Sequence, residues 1–433
     1  ALSPEERKVA LRRARIEEAA YAEALEAVRG APRAAAARRQ AALEEYYEKE
    51  AAGNSPSAPS SAAVADAAGG EAGFREAAAQ MMAAQMGIQI KFRPLPPAQS
   101  GPVGLLFPDQ GSRSLRLLSA ARNLPGVPRM LRGLRELLGF DPLEETPIQG
   151  VWELFRGPEA IPVWLEETEL CQPVMFVCAM AAIERLNQRR PGCLDQCRAV
   201  AGLSLGELAA LTYAGVFDFG TGLQLARVRG EAMQAAARAS PQRMLSVAGL
   251  DDATLEQLCG EAAAEHGEVC RIAQRLFPCG FVCSGGEAAV QSLLQKARQV
   301  EGCKQVSLLK PSLGGAFHTP LMEPAREKLR AALESVEGDM RPPRCDVFMG
   351  ATGERVTATT PPAEITRLLC DQLTSCALWE ESIRGMMKEG VRQFYECGPM
   401  QQLKGMMKRI DEEAFEAMVC MDHIVKNEKE KHR

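Results

Sequence analysis

The chain of 433 residues has little of several things that usually announce a function. It has four histidines, and its fourteen cysteines never fall in a C-x-x-C pair. A zinc centre built on the usual Cys/His spacings is therefore not expected, and scattered thiols fit a reducing compartment. The spacings Cys193–Cys197 and Cys279–Cys283 carry no metal signature and read as core or surface thiols. There is no run of 18 apolar residues, so no membrane span is expected. Nor is positive charge in excess. Lys and Arg number 51 against 56 Asp and Glu, net −5, which leaves no footprint for nucleic acid. Position 1 is not Met, which fits a processed chain or a fragment and suggests that any targeting segment is already gone.

What is there is an ordinary globular composition, 46% hydrophobic and 25% charged, on a chain long enough for two or three domains. The first fifty residues are rich in Ala, Arg and Glu, with ten basic and ten acidic side chains. Transit peptides are poor in acid, so this stretch is not one. Residues 3–29 and 33–51 read as two long helices broken at Gly30-Ala-Pro, with Ser3-Pro4 opening the first. Their apolar stripe is mostly alanine, too thin to hold a core, so the extension 1–51 needs a partner or stays partly exposed. Residues 52–72 form a low-complexity linker. A short helix is expected over 74–86 and an extended stretch over 88–97.

One stretch organises the rest. An apolar run from Cys197 to Ala201 reads as a buried strand, and a helix-forming series follows from Leu205 to Ala214. Between them stands Gly202-Leu-Ser204-Leu-Gly206, a G-x-S-x-G. Glycines beside a serine allow a sharp strand-to-helix turn that lifts the hydroxyl clear, above the free N–H groups of a helix start. The same residues contain Ser204-x-x-Glu207, a helix capping box, so a purely structural reading stands beside the catalytic one.

A serine nucleophile needs a base. His423 and His432 lie in a polar tail, and His266 sits at a helix end in Glu-His-Gly-Glu. His318, in the small-residue loop Gly-Gly-Ala-Phe-His-Thr-Pro ahead of a helix, is the base by elimination; the alternative is a loop histidine that caps its neighbours. No acid offers itself as a third member. A backbone carbonyl would suffice, since the base needs only a fixed tautomer and orientation.

The surrounding pattern is α/β. A strand at 103–107, helices over 115–140 and 150–156, a helix from Thr168 to Asn187 and one over 219–239 flank the 197–203 strand. From Met244 the order becomes strand 244–250, helix 252–265, strands 269–273 and 280–283, helix 286–299 and strand 303–309. That β-α-β-β-α-β series is the ferredoxin-like order. A helix over 321–336, a strand at 346–349, helices over 361–373 and 379–389, a strand at 393–396 and a helix over 400–411 complete the chain. The expected fold is an α/β-hydrolase-like main domain (73–243 and 310–433) with an inserted ferredoxin-like subdomain (244–309).

Seven ordered blocks point further. They are Phe-Pro-Asp-Gln-Gly-Ser (107–112), Cys-Gln-Pro (171–173), Gly-Leu-Ser-Leu-Gly-Glu (202–207), Val-Arg-Gly-Glu-Ala-Met-Gln (228–234), Met-Leu-Ser-Val-Ala-Gly (244–249), Gly-Ala-Phe-His-Thr-Pro-Leu-Met (315–322) and Glu-Cys-Gly-Pro (396–399). Together, over about 103–411, they resemble the malonyl-CoA:acyl carrier protein transacylase family. The resemblance implies that Ser204 is the nucleophile, with the capping box as a companion role, and that His318 is its base. It implies an oxyanion hole from the N–H groups of Gln110 and Leu205. Arg229 would hold the malonyl carboxylate, Gln172 would line the same pocket, and the carbonyl of Gln372 would orient His318. Phe317 resembles malonyl-selective members. For Arg229 the bland alternative is a solvated helix arginine like Arg227, and for Phe317 it is core packing.

The same resemblance implies transfer of malonyl from malonyl-CoA to acyl carrier protein for fatty acid synthesis, without metal or bound cofactor. The acidic carrier would meet a basic surface such as Lys404, Lys408 and Arg409, in an organelle, plastid or mitochondrion. Residues 1–51 would be available for a larger assembly. A serine acylhydrolase and a degenerate transacylase kept as a structural subunit are the alternatives. The chain departs from the family's pattern at Asp109, where glycine is usual, at Arg113, at Leu203 and at Gln274. A carboxylate beside Gln110 would oppose the oxyanion if it points into the cleft, and would cost little if it points to solvent or pairs with Arg113; a side chain in place of glycine is also expected to misaim the Gln110 N–H.

Overall fold

The computed structural model describes residues 101–143, 162–310 and 315–422. The expected helices at 3–29, 33–51, 74–86 and 150–156, the linker 52–72 and the stretch 88–97 lie outside the described residues. In chain order, β1 (Val103–Phe107) precedes α1 (Arg116–Ala121), α2 (Val127–Leu138) and α3 (Thr168–Arg189). β2 (Cys197–Gly202) leads to α4 (Gly206–Ala214) and α5 (Phe219–Ala237). Then come β3 (Gln242–Ala248), α6 (Asp252–His266), β4 (Cys270–Phe277), β5 (Gly280–Gly286), α7 (Glu287–Gln299) and β6 (Gln305–Leu308). α8 (Glu323–Val336), β7 (Asp346–Phe348), β8 (Arg355–Val356), α9 (Pro362–Thr374), β9 (Ala377–Leu378) and α10 (Trp379–Lys388) follow. β10 (Gln393–Glu396), α11 (Gln402–Ile410), α12 (Glu412–Ala417) and β11 (Val419–Cys420) close the series.

These strands make two sheets, and the architecture is mixed α/β. The larger has the order β11-β10-β1-β2-β7-β8, parallel except for β8. Every residue of β1 and β10 is buried. Parallel strands covered on both faces read as unbroken apolar runs, which is how the sequence writes 103–107. The smaller sheet has the order β6-β3-β5-β4-β9, antiparallel except where β9 joins β4. Its side chains alternate between two cores. Leu245, Val247, Phe281 and Cys283 pack with Leu255 and Leu293 of α6 and α7. Met244, Val282 and Leu276 belong to the main core instead. The period of two along a strand makes that division.

Several expectations shift. The segment 115–140 is two helices, broken around Pro125 and by Gly126, whose φ of 81° ends any continuous helix. β4 runs on to Phe277 rather than stopping at Ala273, because β5 and β9 both pair with its second half. Gln274, one of the departures from the family pattern, is therefore a buried strand residue opposite Ala377. The two-residue strands β8, β9 and β11 and the helix α12 are additions with no periodicity long enough to show in sequence.

Candidate active site

The serine turn is built by close approach of backbone. Leu203 N–H donates to Phe107 O at 2.9 Å, locking the end of β2 to the end of β1. A Cβ on Gly202 would lie 2.0 Å from the carbonyl carbon of Gly206. A Cβ on Gly206 would lie 2.1 Å from Phe107 O. Neither glycine has positive φ; the left-handed residue is Ser204 itself, at φ 53°. Among the described residues only four non-glycines have positive φ, and His318, at 62°, is another. Such strain persists where the surroundings over-determine it, as at reactive sites.

The capping-box reading fails. The cap position of α4 is Leu205, without a side-chain cap, and the Glu207 N–H meets the Ser204 carbonyl rather than its Oγ. Ser204 Oγ accepts from Arg229 Nη2 at 3.0 Å and lies 3.0 Å from His318 Nε2. Glu207 does not reach back to the turn either; its Oε1 accepts the N–H of Gly350, 143 residues away. With φ positive at Ser204, the hydroxyl is carried away from the helix it precedes. The N–H groups of Gly206, Glu207 and Leu208 return to carbonyls of that turn, while that of Leu205, just ahead, is not taken up by it.

His318 is 3% exposed, with Nδ1 2.7 Å from Gln372 O. Burial first, then the nearby Arg229 cation, lowers its pKa to about 4, against the Gln372 carbonyl, which favours the charged form. The ring is thus neutral near pH 7. Nδ1–H donates to the carbonyl, which leaves Nε2 to accept from Ser204. The loop bearing the histidine is clamped from the smaller sheet. Gln242 of β3 accepts the Ala316 N–H at 2.6 Å, and Ser284 of β5 donates to Gly315 O at 3.3 Å. Thr319 Oγ1 donates to Ala316 O at 2.6 Å.

Arg229 is 2% exposed and is not the solvated arginine that its helix position allows. Gly230 explains its placement. A Cβ there would lie 2.9 Å from Thr168 O, so only glycine lets α5 press against the start of α3. Gln234, one turn on, accepts the Thr168 N–H at 2.6 Å. Arg229 Nη1 donates to Gln172 Oε1 at 3.0 Å, and Nη2 to Gln372 Oε1 at 2.8 Å. Gln372 Nε2 donates in turn to Ser204 O at 3.0 Å. Among the described residues these partners are all uncharged. Burial lowers the pKa of Arg229 to about 10, with Glu207 and Asp109 opposing that shift. It remains a cation at neutral pH.

The remaining expected residues divide. Gln110 Oε1 accepts from Gln172 Nε2 at 3.4 Å, so it stands beside the Arg229 cluster. Phe317 is buried in the main core, its ring against Gly315, and makes no hydrogen-bonding contribution to the cluster. Asp109 does not distort its turn. Its φ of −86° is ordinary extended backbone, and Oδ1 accepts the Gly111 N–H at 2.7 Å. The misaiming argument for Asp109 is therefore wrong; an aspartate caps this turn where glycine has no side chain to do so. Desolvation raises its pKa, against the Gly111 N–H, Gln402 and Arg113. Of the basic cluster, Lys404 turns inward, with Nζ 2.5 Å from Met418 O. Arg409 lies over the Phe277 ring at 4.4 Å, and Lys408 over Phe415 at 5.4 Å. Gln242, Ser284 and Gly350 were not singled out in sequence and carry no motif there, whereas Gln234 ends a recognised block.

A neutral histidine paired with a serine on a strand-to-helix elbow, with no carboxylate behind it, defines a serine acyl-transfer enzyme. Comparison narrows the class. Residues 120–423 match the family model described as acyl transferase domain. The mitochondrial malonyl-CoA-acyl carrier protein transacylase of Homo sapiens is 35% identical over 329 residues, covering 73% of this chain and 79% of that protein. An acyl-carrier-protein S-malonyltransferase from Burkholderia pseudomallei superposes with a TM-score of 0.63 at 31% identity, covering 74% of this chain and 96% of that one. A malonyl-transacylase solved with its type II PKS acyl-carrier protein superposes at 0.61 and 28% identity, covering 74% and 95%. The chain belongs to the acyl transferase family and, within it, to the malonyl-CoA-acyl carrier protein transacylases.

Proposed function

We propose that the chain moves malonyl from malonyl-CoA to the phosphopantetheine thiol of an acyl carrier protein, through a malonyl ester on Ser204, for fatty acid synthesis. One observation carries this reading: a buried arginine whose hydrogen-bond partners, among the described residues, are all uncharged stands 3.0 Å from the serine oxygen. A planar guanidinium there suits the free carboxylate that malonyl has and acetyl lacks. Ser204 passes its proton to His318 Nε2 as Oγ adds to the thioester carbon. The Gln110 and Leu205 N–H groups receive the oxyanion. The imidazolium returns its proton to the departing thiolate, and the carrier thiol reverses the sequence. Gln372 supports both halves, its carbonyl on His318 and its carboxamide on Arg229. Phe317 would bound the acyl pocket.

The proposed chemistry needs neither metal nor bound cofactor. Among the described residues no cluster of three His, Cys, Asp or Glu side chains would hold a metal ion. No described helix is long and apolar enough to cross a membrane. The parallel sheet with its serine elbow supports an α/β-hydrolase-like body over 73–243 and 310–433. The order β6-β3-β5-β4 supports a ferredoxin-like insertion over 244–309. The mitochondrial relatives support an organelle as the location, and a mitochondrion over a plastid. The carrier would dock near the exposed Lys408 and Arg409 rather than Lys404.

The test is incubation with labelled malonyl-CoA, then mapping of the label. Ser204 should carry it, and Ser204→Ala should carry none. Arg229→Ala should lose malonyl loading far more than acetyl loading. Label retained in Ser204→Ala would sink the mechanism; no label in the native chain would favour a structural subunit.

A further inference from the structure

Among the buried acids that the mechanism leaves unused, one lies beside the nucleophile. Glu207 is fully buried in the first turn of α4, three residues after the nucleophile. Its Oε1 accepts the Gly350 N–H, and a Cβ on Gly350 would come within 2.9 Å of that oxygen. Its Oε2 makes no hydrogen bond of good geometry, with the Gln372 carboxamide as the polar group near the carboxyl. A buried carboxylate oxygen left bare is costly unless a nearby charge compensates it. The charge that acts on it is Arg229, itself buried, hydrogen-bonded only to uncharged groups and joined to the Gln372 carboxamide near Glu207.

We propose that Glu207 is the standing counter-charge of Arg229, and that it takes up a proton when the malonyl carboxylate arrives. In the empty site Glu207 offsets the guanidinium, with Asp109 as a second acid acting on it. With malonyl bound, its carboxylate would join them around one cation in a dry site, and Glu207 would take up one proton, drawn in the end from solvent, on Oε2. No other bond changes. Glu207 acts through Arg229 and is a positioning residue, not a catalytic one. The inference rests on Arg229 as the malonyl partner.

The ionisable groups around Glu207 support the sign. Burial raises its pKa to about 7, with the Gln372 carboxamide, the Gly350 N–H and the Arg229 charge opposing. Below that value the acid is neutral and Arg229 is free for substrate. Above it the carboxylate competes with malonyl. Arg229 also faces His318 and Asp109. His318 titrates at about 4, below the window, whereas Asp109 is shifted upward and has to be separated by mutation.

The experiment measures malonyl and acetyl loading of Ser204 between pH 6 and 8.5 and takes their ratio, which cancels the titration of His318. The native ratio should fall about fivefold or more as pH rises. Glu207→Gln, which keeps an acceptor for Gly350 but no charge, should flatten it. A flat native ratio, or a slope unchanged in Glu207→Gln, overturns the proposal. Should that variant fail to fold, the native chain still decides, in weak buffer with an indicator dye near pH 7.5. Malonyl loading should take up a proton and acetyl loading none; equal uptake overturns the proposal. Failure of the Arg229 reading looks different: malonyl and acetyl then load alike at every pH.

Discussion

The nucleophile and its base are held by different sheets. Ser204 rides the end of β2, at the centre of the parallel sheet, and is aimed by backbone packing against Phe107 and Gly206. His318 sits on a loop whose hydrogen bonds run to Gln242 and Ser284 on the antiparallel sheet. One side is fixed by steric exclusion, the other by polar side chains meeting backbone groups. The 3.0 Å between Oγ and Nε2 is therefore a distance between two sheets. The sheets are tied close by. Leu378 of β9 pairs with β4 and donates to Gly350 O at 2.7 Å, and Gly350 N–H meets Glu207 on the serine helix. The smaller sheet thus serves the chemistry without contributing a reacting group.

Breaking the steric side should have the largest effect. Gly202→Ala places a methyl 2.0 Å from backbone that cannot swing aside. The expected cost is about 3 kcal/mol or more, with the serine turn displaced. Chemical denaturation should show the loss, and labelled malonyl should no longer reach Ser204. A variant that folds and loads normally would mean that the turn is set by something other than this contact.

Breaking the polar side should cost less and in a different way. Gln242→Leu leaves the Ala316 N–H unpaired in the interior, while the Ala236 carbonyl keeps the Ala239 N–H. A buried orphan of that kind costs about 1–3 kcal/mol. The histidine loop should loosen, so kcat for malonyl loading should fall about tenfold while KM changes little. An unaltered kcat would detach the smaller sheet from the base.

This division explains how much was legible. Ser204, and His318 by elimination, could be read because glycine-rich turns and scarce histidines are local signals. The roles of Arg229, Gln172 and Gln372 came through the resemblance; the structure puts Arg229 within hydrogen-bonding distance of the serine, Gln372 of its base and Gln172 of Arg229. The contacts between sheets were not legible. Glu207 meets Gly350 across 143 residues, and Ala316 meets Gln242 across 74. Neither pair carries any periodicity or motif. Asp109 was misread for a related reason: its residue type is compatible with strain or with a turn cap, and only φ decides.

Asp109 sharpens the steric side at a smaller scale. Its carboxylate caps the Gln110 turn, yet its charge faces Arg229. Glycine, the usual family residue, would remove both features, so Asp109→Gly no longer carries a clear sign. Asp109→Asn separates them, since the amide oxygen keeps the Gly111 bond without the charge. Malonyl loading in Asp109→Asn should rise about twofold to fivefold. Because burial pushes the carboxyl upward, the gap should narrow as pH falls and the native acid neutralises. Equal rates at every pH would show that the charge is screened.

The smallest effect belongs to a glycine on the antiparallel side, and it should have the opposite sign. Gly260 lies inside α6, is exposed, and nothing stands within 4 Å of where its Cβ would be. Its φ is not positive, and the left-handed cap of that helix is Gly267, at φ 63°. Gly260 therefore meets no demand for close approach or special backbone. Alanine there narrows the unfolded ensemble and favours the helix, by about 0.5–1 kcal/mol. Gly260→Ala should raise the denaturant midpoint and leave malonyl loading as it was. Gly202 and Gly260 are the same residue type under opposite constraints, and one substitution should damage where the other stabilises. A destabilised Gly260→Ala would mean that α6 needs glycine at this position for a reason other than close approach or positive φ.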